Sequence, residues 1–291
     1  MPTELRKRGT SIGIRRRASN ALATLLAGLA VLLVLAPLAA IFGYLVYRGL
    51  GSVDLAFFTE TPKPVGDVGG GMANAIVDSG IILLIASALG VPLGIGTGIY
   101  LAEYGRGRFG DLIRFMADIL NGVPSIVIGL VAYSLVVLQQ KHFSAMAGGV
   151  ALGMMMIPTV ARTSEEILLL VPQSVREAAL GLGIPHWRAT LSVTLRTAMS
   201  GVITGVMLAF ARVAGETAPL LFTAFGNHFW NLDVNQPTAA LPLQIFVYAI
   251  SPFDEWHRKA WGGALVLIVL IVGTVAVVRW VAGRGVLRGT D

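Results

Sequence analysis

The sequence contains no cysteine, which excludes disulfides and thiolate metal sites. Charge is scarce too. Asp, Glu, Lys and Arg make up 13% of the 291 residues, against roughly 25% in a soluble domain. The four histidines, His142, His186, His228 and His257, are scattered without metal-ligand spacing. The sequence has no G-x-x-x-x-G-K-[ST] loop to cradle ATP phosphates. No nucleophile–base pair, metal cluster or cofactor motif stands out, so an enzyme is the least expected reading. What remains is largely apolar: 55% of residues are hydrophobic and the mean hydropathy is +0.75. That is the composition of a polytopic membrane protein. The net charge of +6 does not mark a nucleic-acid surface, because the basic residues fall between apolar runs.

A transmembrane helix needs about 20 apolar residues, and six segments qualify. The first lies between Arg17 and Arg48. The second runs from about Met72 to Leu101, the third from Ile113 to Leu138, and the fourth from Ser144 to Leu170. The fifth runs from about Thr197 to Phe222 and the sixth from Trp261 to Val281. The expected fold is all-α, with six transmembrane helices. The first span has the basic flank of a secretory signal, but its uncharged run from Ala18 to Tyr47 far exceeds a signal core of about 7–15 residues. Retention is therefore expected.

Basic residues orient the spans. One side collects Arg6, Lys7, Arg8, Arg15, Arg16 and Arg17, then Arg106, Arg108 and Arg114. It also receives Arg176, Arg188 and Arg196, then Arg279, Arg284 and Arg288. The other side has Arg48, Lys63, Lys141, Arg258 and Lys259. Both termini are expected in the cytoplasm. The organisation reads as a basic arm over 1–20, a first span with its external loop over 21–70, and a transmembrane domain over 71–291. The external segment after the fifth span contains Pro237, Pro242 and Pro252, with an interfacial or re-entrant helix expected around Leu241 to Ala249.

A polar island, residues 172–196, separates the fourth and fifth spans. Ser174-x-x-Glu177 has capping-box form, so a short helix is expected to start there. Gly183 suits the left-handed turn that ends it, and Pro185 suits the first turn of a second helix. Ala178, Ala179 and Leu182 permit close packing, with Arg176 and Glu177 as polar contacts at the rim.

The pattern Glu177-Ala178-Ala179-x3-Gly183, followed by Val193-x-Leu195, resembles the EAA loop of ABC-transporter permeases. Arg196 replaces the family's final proline. The resemblance implies a type I ABC importer permease fold, with Glu177, Ala178, Ala179 and Gly183 docking into a groove on an ATPase subunit. Further segments resemble phosphate-importer permeases of the PstA type. They are Gly98 to Tyr104, Leu120 to Leu130, Pro158 to Glu166 and, above all, Ala211-Arg212-Val213-Ala214-Gly215-Glu216-Thr217-Ala218-Pro219-Leu220. That resemblance covers about Gly69 to the C-terminus. It implies a PstC-like second permease, a dimer of ATP-binding subunits and an external phosphate-binding protein, all at a bacterial inner membrane. It also implies that this chain binds no cofactor, ATP with Mg²⁺ being used by the partner ATPase. An ABC permease for molybdate or sulfate is the alternative, and an ATP-independent secondary transporter a more distant one.

Charges inside a span are functional candidates. Arg212 and Glu216 are four apart and, on a continuous helix, share a face and pair. At 1.5 Å per residue Arg212 is about 22 Å along the helix from Thr197, which places it toward the outside. The pair serves either packing or phosphate recognition by the planar guanidinium; the resemblance implies the second. Arg162, followed by Glu165 and Glu166, is either an interfacial ion-pair cluster or a second cationic stop on the anion route. Asn121 and Ser125 flank Pro124 and either line the pore or hydrogen-bond between helices. Gly90, Gly94 and Gly98, and Gly201 with Gly205, read as close-packing stripes.

Overall fold

A computed structural model describes residues 3–64, 67 and 69–287. Arg288, and the side chains of Arg6, Lys7, Arg8, Arg15 and Arg284, lie outside the described residues. The chain divides into two units, Met1–Arg48 and Gly49–Asp291. The first is made of helix α1 (Thr3–Leu50), which runs without a break and takes Pro37 inside it. Its segment Ser19–Leu50 is long and apolar enough to cross a membrane.

The second unit is built mainly of helices. A short α2 (Leu55–Thr59) precedes α3 (Ala73–Ile99), which ends in a π turn at Tyr100–Tyr104. Then come α4 (Arg108–Gly122) and α5 (Ser125–Ala132). A second π turn (Tyr133–Val137) extends α5 into α6 (Leu138–Gln140). Helix α7 (Ala145–Leu169) is followed by α8 (Gln173–Gly181) and α9 (His186–Ala189). A π turn (Thr190–Thr194) joins α9 to α10 (Leu195–Ala214). The chain closes with α11 (Ala218–Thr223), α12 (Leu241–Ala249) and α13 (Asp254–Leu287). Four helical stretches of this unit are candidate spans. Three are Ala73–Tyr104, Ala145–Leu169 and Asp254–Gly283; the fourth is the α9–α10 run His186–Ala214. With α1 they make five, and six once Arg108–Gly122 and Ser125–Gln140 count as one span bent by 105°.

The core is α3 packed on α7 and α10. A Cβ on Gly90, Gly94 or Gly98 would fall 2.6 Å from a side-chain atom of Met156, Val160 or Ser164 respectively. This stripe lets α3 and α7 run parallel in near-backbone contact. Gly201 and Gly205 face Ile167 and Thr163 in the same way, so α10 runs antiparallel to α7. Both stripes pack helices, as their spacing suggested.

At the N-terminal end of α7, Ser144 caps the helix by accepting from Ala147 N–H at 3.0 Å. Its own N–H donates to Thr223 O at 3.0 Å. The segment after α11 folds back onto α3. Asp78, fully buried, accepts from Ala239 N–H at 3.0 Å, and Ser79 Oγ accepts from Leu241 N–H at 2.7 Å. Helix α12 therefore sits where the sequence placed a re-entrant element. Tyr248 is buried against Trp256, their rings stacked at 4.5 Å.

Candidate functional site

Two spans are broken, and the breaks lie at similar depth. In the third, α4 ends at Gly122, and Pro124, which has no N–H to donate back along α4, caps the start of α5. Val123 is held extended, with φ −67° and ψ 134°, as the residue before a proline prefers. The crossing expected from Ile113 to Leu138 is two helices at 105°, a larger bend than a proline kink alone signals. In the fifth, α10 ends at Ala214 with Gly215 as its cap, and Pro219 enters the first turn of α11. The helices that follow the breaks meet, α5 packing on α11 through Gly129 and Pro219.

The break separates Arg212 from Glu216. Arg212 is in the last turn of α10, and Glu216 lies beyond the cap. The expected i,i+4 pair does not form, because no continuous helix joins the two residues. Arg212 is exposed on this chain and has no ion-pair partner among the described residues; Glu216 is half-buried. Its depth also differs from expectation. Extending the antiparallel register of Gly201 with Ile167 and Gly205 with Thr163 brings Arg212 level with about Met156, the middle of α7. Helix α10 continues an α9 that already starts at His186, so Thr197 is not where the span begins.

Asn121 lies one residue before the end of α4 and accepts from Thr159 Oγ1 of α7 at 2.9 Å, close to the same level. Ser125 is half-buried and is the first residue of α5. Arg162 lies further along α7. Its Nε is 2.9 Å from Asp118 Oδ1, and it also pairs with Glu165. Glu165 is buried and receives Arg114 Nε at 2.6 Å on its other oxygen. Arg162 is thus a member of an ion-pair cluster joining α4 to α7; Glu166 is exposed and takes no part.

The α8 loop forms the second candidate site. Helix α8 starts at Gln173 with Pro172 as its cap, and Ser174 makes no capping bond. The expected capping box is absent because the cap is Pro172, two residues before Ser174, which leaves Ser174 inside the first turn. The other end is as expected. Gly183 has φ +78°, Ile184 N–H donates to Ala179 O at 3.3 Å, and Gly183 N–H to Leu180 O at 2.9 Å. This is the Schellman arrangement that favours glycine. Ala179 faces inward at 5% exposure, while Leu182 is 80% and Trp187 62% exposed. Glu177 and Ala178 are exposed as well.

Arg176 is not a rim residue. Its Nε donates to Glu103 Oε1 at 3.0 Å, Nη1 to Val171 O at 2.9 Å and Nη2 to Leu168 O at 2.7 Å. The guanidinium is spent inside the chain.

The family model for the binding-protein-dependent transport system inner membrane component matches residues 94–284. The chain is 48% identical over 258 residues to the phosphate transport system permease protein PstA of Yersinia pestis, covering 88% of each. It is 47% identical over 261 residues to the PstA of Xylella fastidiosa, covering 89% of this chain and 90% of that one. The chain belongs to the PstA family of ABC-transporter permeases. Among solved structures it is similar to the MetNI methionine ABC transporter in an inward-facing form, with a TM-score of 0.57 at 18% identity. That match covers 76% of this chain and 98% of the other. It shows the type I importer permease fold.

Within that fold, sequence reasoning left three side chains without a role: Glu103, Arg114 and Arg176 as an internal ligand. Arg114 Nη2 donates to Leu101 O at 2.9 Å and Nη1 to Gly105 O at 3.1 Å, so it closes the π turn that ends α3. For Glu103 the only local signal was a carboxylate at the end of an apolar run. Its partner Arg176 is 73 residues away, beyond the reach of spacing.

Proposed function

We propose that this PstA-family chain is one half of the membrane pathway of an ATP-driven phosphate importer. The observation that carries the proposal is Arg212: a cation at mid-span depth, exposed on its own chain and unpaired among the described residues. A charge at that depth facing hydrocarbon costs about 2.5–3.5 kcal/mol even on insertion scales. Arg212 therefore faces an aqueous passage completed by a second, PstC-like permease, and the guanidinium fork offers phosphate oxygens two parallel hydrogen bonds. The name carried by relatives at 47–48% identity supplies the anion.

In this reading Arg212 is the anion ligand, and Asn121 and Ser125 supply polar groups from the facing break. Glu216, just past the same helix end, repels a bound phosphate and favours its release. Arg162, already matched by Asp118 and Glu165, is a weaker second stop. Glu177, Ala178 and Gly183 form the docking element for the ATPase dimer, which hydrolyses ATP with Mg²⁺, while the inward-facing Ala179 seats α8 on the chain. A phosphate-binding protein delivers substrate from the opposite side. The α8 loop and both termini lie in the cytoplasm of a bacterial-type inner membrane.

The test is labelled-phosphate uptake in cells with this chain deleted and other phosphate importers absent. Wild type restores uptake, competed by phosphate and not by molybdate or sulfate, and Glu177→Arg does not restore it. Uptake competed equally by molybdate or sulfate points to another oxyanion. Uptake that survives ATP depletion points to a secondary transporter.

A further inference from the structure

Glu103 is placed to join three helical elements. It sits in the π turn that closes α3, its side chain 5% exposed. One oxygen takes Arg176 of α8; the other lies 3.8 Å from His186 Nε2, the first residue of α9. The His186 ring is also edge-on to Tyr104 at 5.1 Å. A single carboxylate thus reaches both arms of the helix–turn–helix that flanks Gly183.

The same π turn is fastened on its other side. Arg114 of α4 holds the carbonyls of Leu101 and Gly105 while its Nε binds Glu165 of α7. Helix α4 ends at the mid-span break before Pro124. The order of contact is α8, Glu103, the end of α3, Arg114, α4, and then the break beside Asn121. The Arg176–Glu103 and Arg114–Glu165 links are charge-assisted hydrogen bonds between side chains, and Arg114 holds the π turn through backbone carbonyls. Such bonds resist gradual stretching, because a partly separated buried pair loses its Coulomb energy before water replaces it. The bend between α4 and α5 is the natural place for a displacement to be absorbed.

We infer that Glu103 is a positioning residue that couples movement of the α8–α9 loop to the α4–α5 break, through Arg176 on one side and the Arg114-held π turn on the other. The inference rests on the phosphate-importer reading above, and it adds a residue outside the docking motif and outside the anion path. It makes Glu103 responsible for the ratio of phosphate moved to ATP hydrolysed, and not for docking itself.

The experiment uses the complete transporter in proteoliposomes, with phosphate uptake and ATP hydrolysis read together. Glu103→Ala is expected to keep ATP hydrolysis near wild type and to lower phosphate imported per ATP by about tenfold, within the usual range for coupled sites. Because the chain contains no cysteine, the double variant Glu103→Cys with Arg176→Cys adds a direct probe. A short bismaleimide bridging the two thiols is expected to raise the ratio again, whereas a monofunctional maleimide is not. An unchanged ratio in Glu103→Ala, or a bridged pair no better coupled than the blocked one, overturns the inference. Failure of both variants to assemble with the ATPase assigns Glu103 to folding and overturns it too. The wild-type control keeps the two readings apart: a wild-type complex that hydrolyses ATP without importing phosphate retires the phosphate reading, whatever the variants do.

Discussion

Gly129 lies directly against the backbone of Pro219: a side-chain carbon built on Gly129 would fall 2.7 Å from the Pro219 Cα. This contact is where the helices following the two breaks touch. Helix α11 has 6 residues, too few to be fixed by its own hydrogen bonds, so it depends on packing against α5. Gly129→Val forces the two backbones apart. The expected cost is about 1–3 kcal/mol, as for other overpacked sites. The change is expected to lower the thermal midpoint of the purified transporter and to reduce uptake, while ATPase docking at the distant α8 loop persists. An unchanged midpoint with normal uptake would show that the two segments do not need this contact.

Gly183 holds a different kind of constraint. A Cβ there would meet nothing within 4 Å, so space is not the issue; the φ of +78° is. Gly183→Ala should cost about 1–2 kcal/mol from the left-handed backbone. Gly183→Asn should cost less, because asparagine tolerates that region better. The measurement is the affinity of the ATPase subunits for the permease in each variant. The expected order is wild type, then Asn, then Ala. Equal affinities would mean that the angle between α8 and α9 does not matter for docking.

Glu165 is shared by two arginines and is 2% exposed. Glu165→Leu leaves Arg114 and Arg162 without their common carboxylate. Breaking a buried pair costs about 3–5 kcal/mol, and the lower end applies because both arginine side chains keep roughly a quarter of their exposure. Thermal unfolding in detergent should show a clear fall in midpoint. Glu165→Gln, which keeps an acceptor and loses the charge, should fall between. A wild-type midpoint in Glu165→Leu would mean that Asp111 and Asp118, the remaining partners of these arginines, suffice alone.

Much of this architecture was legible in the sequence, and the parts that were not share a cause. The spans stand out because an apolar run of about 20 residues has few other uses. Helix α12 and the turn at Gly183 stand out because their signals are local: prolines bounding an apolar segment, and a glycine after a short helix. The 105° bend at Pro124 was not legible. A proline in an apolar run signals a kink, but the size of the bend depends on α5 finding α11, which lies some 90 residues later. The end of α10 at Gly215 was hidden for a similar reason, since a single glycine does not by itself end a helix and the break depends on where α11 packs. Arg176 looked exposed because it sits in a polar segment. Only the fold brings Glu103 to it and turns a surface charge into an internal fastening. Arg212 was picked out by type and position, but the pairing assigned to it assumed a helix that the chain interrupts.

The central claim is that Arg212 faces the anion path at mid-span and is needed for passage but not for assembly. It is tested most directly by phosphate uptake and ATP hydrolysis in reconstituted transporter carrying Arg212→Ala, beside wild type and Arg212→Lys. The account predicts normal assembly, continued ATP hydrolysis and no measurable uptake with Ala. Lys should restore part of the uptake, since it keeps the charge and loses the planar fork. Wild-type uptake by Arg212→Ala would contradict the account and return this arginine to a purely structural role.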